Sequence, residues 1–283
     1  MLAIGLFSVF SLFFLFFGLV AKSERVLSSN SLSELLLSSD WKPSRGLFGF
    51  APFISGTLFV TLLAMVFSVP VCLLSAIYLN EYAGRKFKSV VKTSIDTLAG
   101  IPSVVFGLWG VLFIVPLVRD LIAPLFGVET SGYCIASGAL VLSLMVVPII
   151  LSIMQDVMAS VPEGLKEASF AVAATRWQTV KYVVIPKTAH GLFSAVILGF
   201  SRAFGETMAV LMVVGNVAVH VKSPFDPAYP LTALIANNYG EMLSIPMYDS
   251  ALMFAALILL VIVLAFNLAA RFILSRFRTG DAL

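Results

Sequence analysis

Long uncharged runs alternate along the chain with short charged segments. A bilayer core of about 30 Å requires roughly 20 helical residues, and every run is long enough to cross it. The runs cover Met1–Ala21, Gly46–Asn80, Thr97–Val118, Thr130–Gln155 and Ser250–Ala270. The first run lacks the positively charged start of a signal peptide, so we expect it to be a retained spanning helix. The pattern predicts a polytopic helical membrane protein.

A sixth span is less regular because charges interrupt it. Thr188–Val219 is long enough to cross the membrane, and its charged residues are Arg202 and Glu206. We therefore predict an all-α fold with about six transmembrane helices in one domain, 1–283. The helices are expected near residues 1–21, 53–79, 93–118, 131–155, 188–215 and 248–272.

The basic residues between the spans predict the orientation of the chain. Lys and Arg accumulate in cytoplasmic loops. Eleven of them fall inside and six outside if the amino terminus is cytoplasmic, so we expect both termini to be cytoplasmic. This orientation makes 22–52 and 216–247 external loops. It makes 156–187 a cytoplasmic loop.

Composition narrows the function classes. The chain is 60% hydrophobic and 12% charged with a mean hydropathy of +1.03, which excludes an ordinary soluble enzyme. A net charge of +3 without a basic stripe argues against a nucleic-acid partner. There is no Gly-Lys pair, so the chain lacks the Walker A loop that binds ATP phosphates. Neither His190 nor His220 has a further metal-ligating residue at helical spacing in the sequence, so we expect neither a metal site nor a cofactor.

The 156–187 loop carries an amphipathic pattern. Apolar residues recur there at three- and four-residue intervals, which predicts a short helix with an apolar stripe. The stripe consists of Val157, Val161, Leu165, Ala168 and Val172. Such a helix on the cytoplasmic face could bind a partner protein. It could equally lie against lipid as an interfacial helix.

Arg202 and Glu206 are four residues apart in an apolar run, so a continuous helix would place them on one face within pairing reach. A lone charge at the bilayer centre costs roughly 3 kcal/mol. A buried pair that only fixes helix packing would explain their presence. A path for an anion would also explain it, because guanidinium binds phosphate oxygens with two hydrogen bonds. Glu206 would then hold Arg202 in position.

Small residues recur around this pair at four-residue spacing. One stripe contains Ala195, Gly199 and Ala203, and the other contains Ser201, Gly205 and Ala209. Small residues allow helix backbones to approach closely. We therefore expect neighbours on two faces of this helix, one of which could belong to another subunit.

The segment from Glu167 to Trp177, EASFAVAATRW, with Ile185-Pro186 after it, resembles the EAA loop of ABC-importer permeases. In that family the loop docks into the ATP-hydrolysing subunit. The resemblance assigns ATPase coupling to Glu163, Glu167, Ala168, Ala173, Thr175 and Arg176. Ser169 and Ala173 depart from the family pattern, which has Ala and Gly there. Alanine disfavours positive φ, so we expect no sharp left-handed turn at residue 173.

A second resemblance is narrower. The stretch from Ser201 to Val210, SRAFGETMAV, with Gly215-Asn216 after it, resembles the PstC family of phosphate-importer permeases. The segments 99–108 and 80–82 are similar to those of PstC and its sister family PstA. The resemblance implies the type I importer fold and a bacterial plasma-membrane location. It assigns the phosphate pathway to Arg202, Glu206, Ser201, Thr207 and, more weakly, Ser103.

The same resemblance implies the partners. They would be a PstA-like second permease subunit, a PstB-like ATPase dimer and a periplasmic phosphate-binding protein. A permease for another oxyanion, such as sulfate or molybdate, remains an alternative. A stand-alone secondary carrier is a third possibility, although it leaves the cytoplasmic amphipathic segment unexplained. An intramembrane enzyme would need a nucleophile–base pair or metal ligands, and none is visible in the sequence.

Overall fold

A computed structural model describes residues 2–240 and 245–278. Residues 1, 241–244 and 279–283 of the predicted single domain lie outside this range. Five helices of the described chain are long and apolar enough to span a membrane. They are α4 (Ala51–Tyr82), α6 (Ser103–Leu125), α7 (Ile135–Ala159), α9 (Arg176–Gly205) and α12 (Pro246–Arg278). A sixth long helix, α1 (Leu2–Lys22), begins the fold, so the all-α polytopic prediction is confirmed.

Shorter elements connect the spans. They are α2 (Glu24–Ser29), α3 (Leu32–Leu37), β1 (Trp41–Lys42), β2 (Leu47–Phe48), α5 (Arg85–Ala99), α8 (Glu163–Ala171), α10 (Met208–Val213) and α11 (Leu231–Asn238). The two strands pair antiparallel as a small hairpin. Wider π-helical turns occur within the long helices at Tyr78–Tyr82, Gly110–Ile114, Val118–Ile122 and Val180–Val184.

Helix α7 is the centre of the bundle. In its most apolar stretch 67% of the residues are buried, against 28% to 39% in the other four spans. It packs against α4 on one side and α9 on the other. At the α9 contact a Cβ on Gly199 would overlap Ile150 of α7, and Ala195 and Ala203 of the same stripe are buried. The first predicted stripe of small residues therefore does form a close helix contact.

The outer faces of the spans are apolar and uncovered. Large hydrophobic side chains such as Phe14, Leu74, Leu112 and Leu268 are more than half exposed. Soluble monomers rarely leave such extensive apolar surface in water. These faces fit contact with lipid or with another membrane subunit.

The two predicted external loops are folded rather than extended. Trp41 in the first loop packs edge-on against Phe53 of α4 (ring centroids 4.8 Å apart) and Tyr248 of α12 (5.9 Å). Helix α11 in the second loop buries Leu231, whose N–H donates to Thr57 Oγ1 at 2.9 Å. Both segments therefore cover the same end of the bundle. Their external location stays a prediction.

Two predicted spans are wrong in their boundaries. The span expected near 93–118 is two helices, because the chain is non-helical at Ile101 and Pro102. Proline disfavours helical backbone at the residue before it, which explains the break. The span expected near 188–215 begins earlier, at Arg176, and ends at Gly205. A separate short helix, α10, follows.

Candidate functional site

The end of α9 at Gly205 separates the two predicted pathway charges. Glu206 has φ −73° and ψ 128°, an extended conformation that terminates the helix. The expected pairing of Arg202 and Glu206 is therefore wrong. In the described parts of the chain, ion pairs join Lys42 to Asp40, Arg119 to Asp120 and Lys166 to Glu81.

Glu206 instead fixes the break between α9 and α10. Its Oε1 accepts a hydrogen bond from the Ala209 N–H at 3.3 Å, in the first turn of α10. Its backbone carbonyl accepts one from Thr232 Oγ1 at 3.1 Å. The half-buried carboxylate borders a narrow cleft that is also lined by the buried Thr57 and Thr61. Glu206 thus links the break to α10 and α11, beside the two threonine side chains of α4.

Arg202 lies on the outer surface of the subunit. Its side chain is exposed, and in the described chain it forms neither a hydrogen bond nor an ion pair. It is fifteen residues beyond Lys187 on α9, which is about 22 Å at 1.5 Å per residue. That distance places it well inside the membrane-spanning stretch. The guanidinium is free to meet a ligand or another subunit.

The three other predicted pathway residues do not surround Arg202 as one site. Ser201 is half-buried and shares a 3.0 Å hydrogen bond with Asn267 Oδ1 of α12. Thr207 Oγ1 donates to the Gly205 carbonyl at 3.4 Å. Ser103 is half-buried at the first residue of α6. Our sequence reasoning missed Asn267, although a lone amide in an apolar span is a visible signal.

Helix α10 returns towards α6 after the break. A Cβ on Gly107 would lie 2.6 Å from Met212 Sδ and 3.1 Å from Ala209 Cα, so the two helices meet in close contact. A Cβ on Gly110 would lie 2.9 Å from Val213 Cγ1 of α10. The second predicted stripe of small residues is interrupted here. Its member Ala209 belongs to α10 and not to α9.

The coupling segment differs from one continuous amphipathic helix. Helix α7 ends at Ala159, and α8 begins after Pro162. The predicted stripe is therefore divided, with Val161 buried while Leu165 and Val172 are exposed. Helix α8 has no fully buried residue. An exposed helix of this kind leaves its side chains available to a partner.

Aromatic and apolar side chains surround this exposed helix. Phe170, Val172, Trp177 and Tyr182 are 45%, 79%, 52% and 66% exposed. Exposed apolar side chains of this kind are available for contact with a partner protein or with lipid. The charged coupling candidates Glu163, Glu167 and Arg176 are exposed on the same segment, as is Ala168.

Ala173 adopts a left-handed backbone conformation, although an alanine at this position predicted the opposite. Its φ is 59°, and its N–H donates to the Phe170 carbonyl at 2.9 Å. The prediction of no sharp turn at this position is wrong. The next N–H, of Ala174, donates to the Ser169 carbonyl at 3.3 Å. These bonds satisfy carbonyls at the end of α8 and offset part of the strain of an alanine at positive φ.

Thr175 begins α9 as a capping residue. Its Oγ1 accepts from the Gln178 N–H at 3.3 Å, and Gln178 Oε1 accepts from the Thr175 N–H at 2.7 Å. This reciprocal pair is a capping box. Ser169 Oγ lies 2.9 Å from Thr179 Oγ1 and links α8 to the same turn. The local structure of the segment therefore holds the turn between α8 and α9 in one geometry.

A charged contact between α8 and α4 was not anticipated. Lys166 Nζ lies 2.5 Å from Glu81 Oε1, and both side chains are mostly buried. Glu81 belongs to the Asn80-Glu81-Tyr82 stretch that contributed to the family resemblance, but nothing in the sequence paired it with Lys166. Because the partners are 85 residues apart, helical spacing could not reveal them.

The sequence model of one protein family, described as the binding-protein-dependent transport system inner membrane component, matches residues 69–279. The matched region includes α9, its break and the coupling segment. The chain belongs to this family. It is an inner-membrane protein and the translocation component of a transport system that also includes a binding protein and an ATPase.

Individual relatives agree with the family. The probable ABC transporter permease protein YqgH of Bacillus subtilis (strain 168) is 38% identical over 264 residues, covering 93% of this chain and 84% of the relative. The phosphate transport system permease protein PstC of Xylella fastidiosa (strain 9a5c) is 36% identical over 253 residues, covering 84% and 78%.

A solved structure agrees in fold. The inward-facing MetNI methionine ABC transporter is similar with a TM-score of 0.59 and 19% identity, over 84% of this chain and 99% of that chain. At this identity the likeness concerns the fold alone. The inner membrane component described here therefore has the fold of a type I ABC-importer permease, as predicted.

Proposed function

We propose that this chain is a translocation subunit of an ATP-driven importer that carries inorganic phosphate across the plasma membrane by alternating access. The proposal is supported by relatives that are named phosphate transport permeases. Its partners would be a PstA-like second permease subunit, a PstB-like ATPase dimer and a periplasmic phosphate-binding protein.

Within this chain, the exposed side chain of Arg202 is the observation that most supports the proposal. An exposed guanidinium on a membrane-spanning helix costs roughly 3 kcal/mol against lipid. It therefore has to face a second subunit or a water-filled path. At such a boundary its planar donors can bind two phosphate oxygens at once. Because no carboxylate of the described chain pairs with it, Arg202 can pair with the anion directly.

Glu206 and the residues around the helix break would position this path. The break is fixed by hydrogen bonds to Ala209 and Thr232, so the end of α9 keeps a defined direction. Discontinuous helices are common at transporter binding sites. Ser201, Thr207 and Ser103 would contribute hydroxyl groups along the pathway as neighbouring helices move.

Coupling to ATP hydrolysis would pass through residues 156–187. Helix α8 and the turn at Ala173 present exposed apolar and charged side chains to the ATPase. Glu163, Glu167 and Arg176 would provide the polar contacts, and Ala168 would permit close approach. Thr175 would act by fixing the turn through its capping box. A stand-alone secondary carrier would have no need of such a surface.

The test replaces Arg202 in the complex reconstituted with all partner subunits. We expect Arg202→Ala to abolish ATP-dependent phosphate uptake while the complex still assembles. Arg202→Lys should retain part of the activity, because it keeps the charge but loses the planar donor pair. Arg25→Ala is the matched control, since Arg25 is exposed on the short helix α2 outside the spans. Uptake by Arg202→Ala at the control rate would refute the role of Arg202.

A further inference from the structure

One ion pair connects the coupling segment to a membrane-spanning helix. The Lys166 and Glu81 side chains are 20% and 11% exposed, and their nitrogen and oxygen lie 2.5 Å apart. The other two ion pairs of the described chain join residues one or two positions apart, with exposures of 53% to 64%. Of these three ion pairs, Lys166–Glu81 is therefore the one that joins distant parts of the chain.

The two partners lie on elements of different character. Lys166 belongs to α8, which has no fully buried residue and lies in the segment proposed to dock the ATPase. Glu81 belongs to the π-helical turn Tyr78–Tyr82 at the end of α4. Such turns within helices often occur at functional sites. The remaining side-chain bond of α8, from Ser169 to Thr179, leads only to the start of α9.

The π-helical turn at Glu81 also contacts two further helices. Asn80 Nδ2 donates to the Gln155 carbonyl of α7 at 3.2 Å. Lys88 Nζ of α5 donates to Asn80 Oδ1 at 2.7 Å. Movement of Glu81 would therefore displace α4 directly. It would also displace α5 and the central α7 through the hydrogen bonds of Asn80.

We propose that Lys166 and Glu81 are positioning residues that transmit movement of the docked α8 to α4 during transport. The inference rests on the proposed coupling role of 156–187. A charged pair with little water around it resists separation more strongly than an exposed pair does. Displacement of α8 would thus pull the end of α4 and reorient the bundle around α7.

The proposal is tested in the complete reconstituted complex by removing both charges together. The double variant Lys166→Met, Glu81→Gln leaves no isolated buried charge, so it avoids the main cause of misfolding after a single substitution. The exchanged variant Lys166→Glu, Glu81→Lys restores the pair in reverse order. Lys92→Met is the matched control, because it removes an exposed cation from the neighbouring helix α5.

Two readouts distinguish an ion pair that transmits movement of α8 from one that only stabilises the fold. The first is the number of ATP molecules hydrolysed per phosphate imported, and the second is the amount of assembled complex. We expect the double variant to assemble normally and to consume at least roughly five-fold more ATP per phosphate. The exchanged variant should recover most of the wild-type ratio, and the control should match wild type. A wild-type ratio in the double variant, or lost assembly in both charge variants, would overturn the proposal.

Failure of the proposed function would give a different result. If the wild-type complex imported no phosphate, the substrate assignment would fall. Stimulation of ATP hydrolysis by the binding protein, measured with sulfate and with molybdate, would then replace the transport ratio. Loss of that stimulation in the double variant and its recovery in the exchanged variant would still support the pair. Unchanged stimulation in the double variant would overturn it.

Discussion

The contact between α7 and α9 should be sensitive to a single methyl group. A Cβ at Gly199 would overlap Ile150 Cδ1 and lie 2.6 Å from Ile150 Cγ1 and 3.2 Å from Val146 Cγ1. Ile150 is fully buried, so it can move only by displacing other core residues. Gly199→Ala must therefore separate the helices or force Ile150 into a strained rotamer. Either change alters the helix that carries Arg202.

Gly205 on the same helix provides the matched comparison. A Cβ at this position meets no atom within 4 Å. Glycine to alanine gains about 1 kcal/mol of helix propensity in a helix interior, as at Gly199, and less at Gly205, the last residue of α9. Only Gly199→Ala adds the cost of overpacking, about 1–3 kcal/mol. We expect this cost to exceed the gain, which makes Gly199→Ala the less stable variant.

The measurement is thermal unfolding of the assembled complex in detergent. We expect Gly205→Ala to match or exceed the wild-type Tm. Gly199→Ala should unfold at a lower temperature than Gly205→Ala, because a loss of stability lowers the Tm. Equal Tm values for the two variants would refute the close contact between α7 and α9.

Three further substitutions test the coupling segment and the helix break. Glu167→Lys reverses an exposed charge on α8 and should lower phosphate-stimulated ATP hydrolysis; full stimulation would argue against docking there. Ala173→Gly relieves an alanine at φ 59°, so it should raise the free energy of unfolding by up to about 1 kcal/mol without impairing transport. A loss of stability would contradict the turn geometry. Glu206→Ala loses the acceptor for the Ala209 N–H; we expect about 1 kcal/mol lower stability and slower uptake, and no change in either would show that Glu206 does not fix the break.

The spans were predictable because their length and apolar content are set by the bilayer. Their interruptions were not fully predictable, because apolar content does not report where backbone hydrogen bonding stops. One span was expected near 93–118, but the chain is divided there into two helices at Ile101 and Pro102. Gly205 is a common type of residue at a helix end, yet the apolar run continues beyond it. The break at Glu206 therefore needed the structure.

The residues of the candidate site could be predicted from the sequence, but most of their contacts could not. Intramembrane charge identified Arg202 and Glu206, but the four-residue spacing suggested a pair only while the helix was assumed continuous. The Lys166–Glu81 contact joins distant parts of the chain, so local periodicity contains no trace of it. The turn at Ala173 contradicts local backbone preference because the bonds around it define its geometry. These contacts depend on tertiary packing.

The central claim is that this chain forms the phosphate path of an ATP-driven importer. Its most direct test is ATP-dependent uptake by the reconstituted complex, with labelled phosphate and labelled sulfate compared under identical conditions. We expect phosphate uptake that requires both ATP and the binding protein, with sulfate entering at background rate. Uptake of sulfate in preference to phosphate, or phosphate uptake independent of ATP, would contradict the claim.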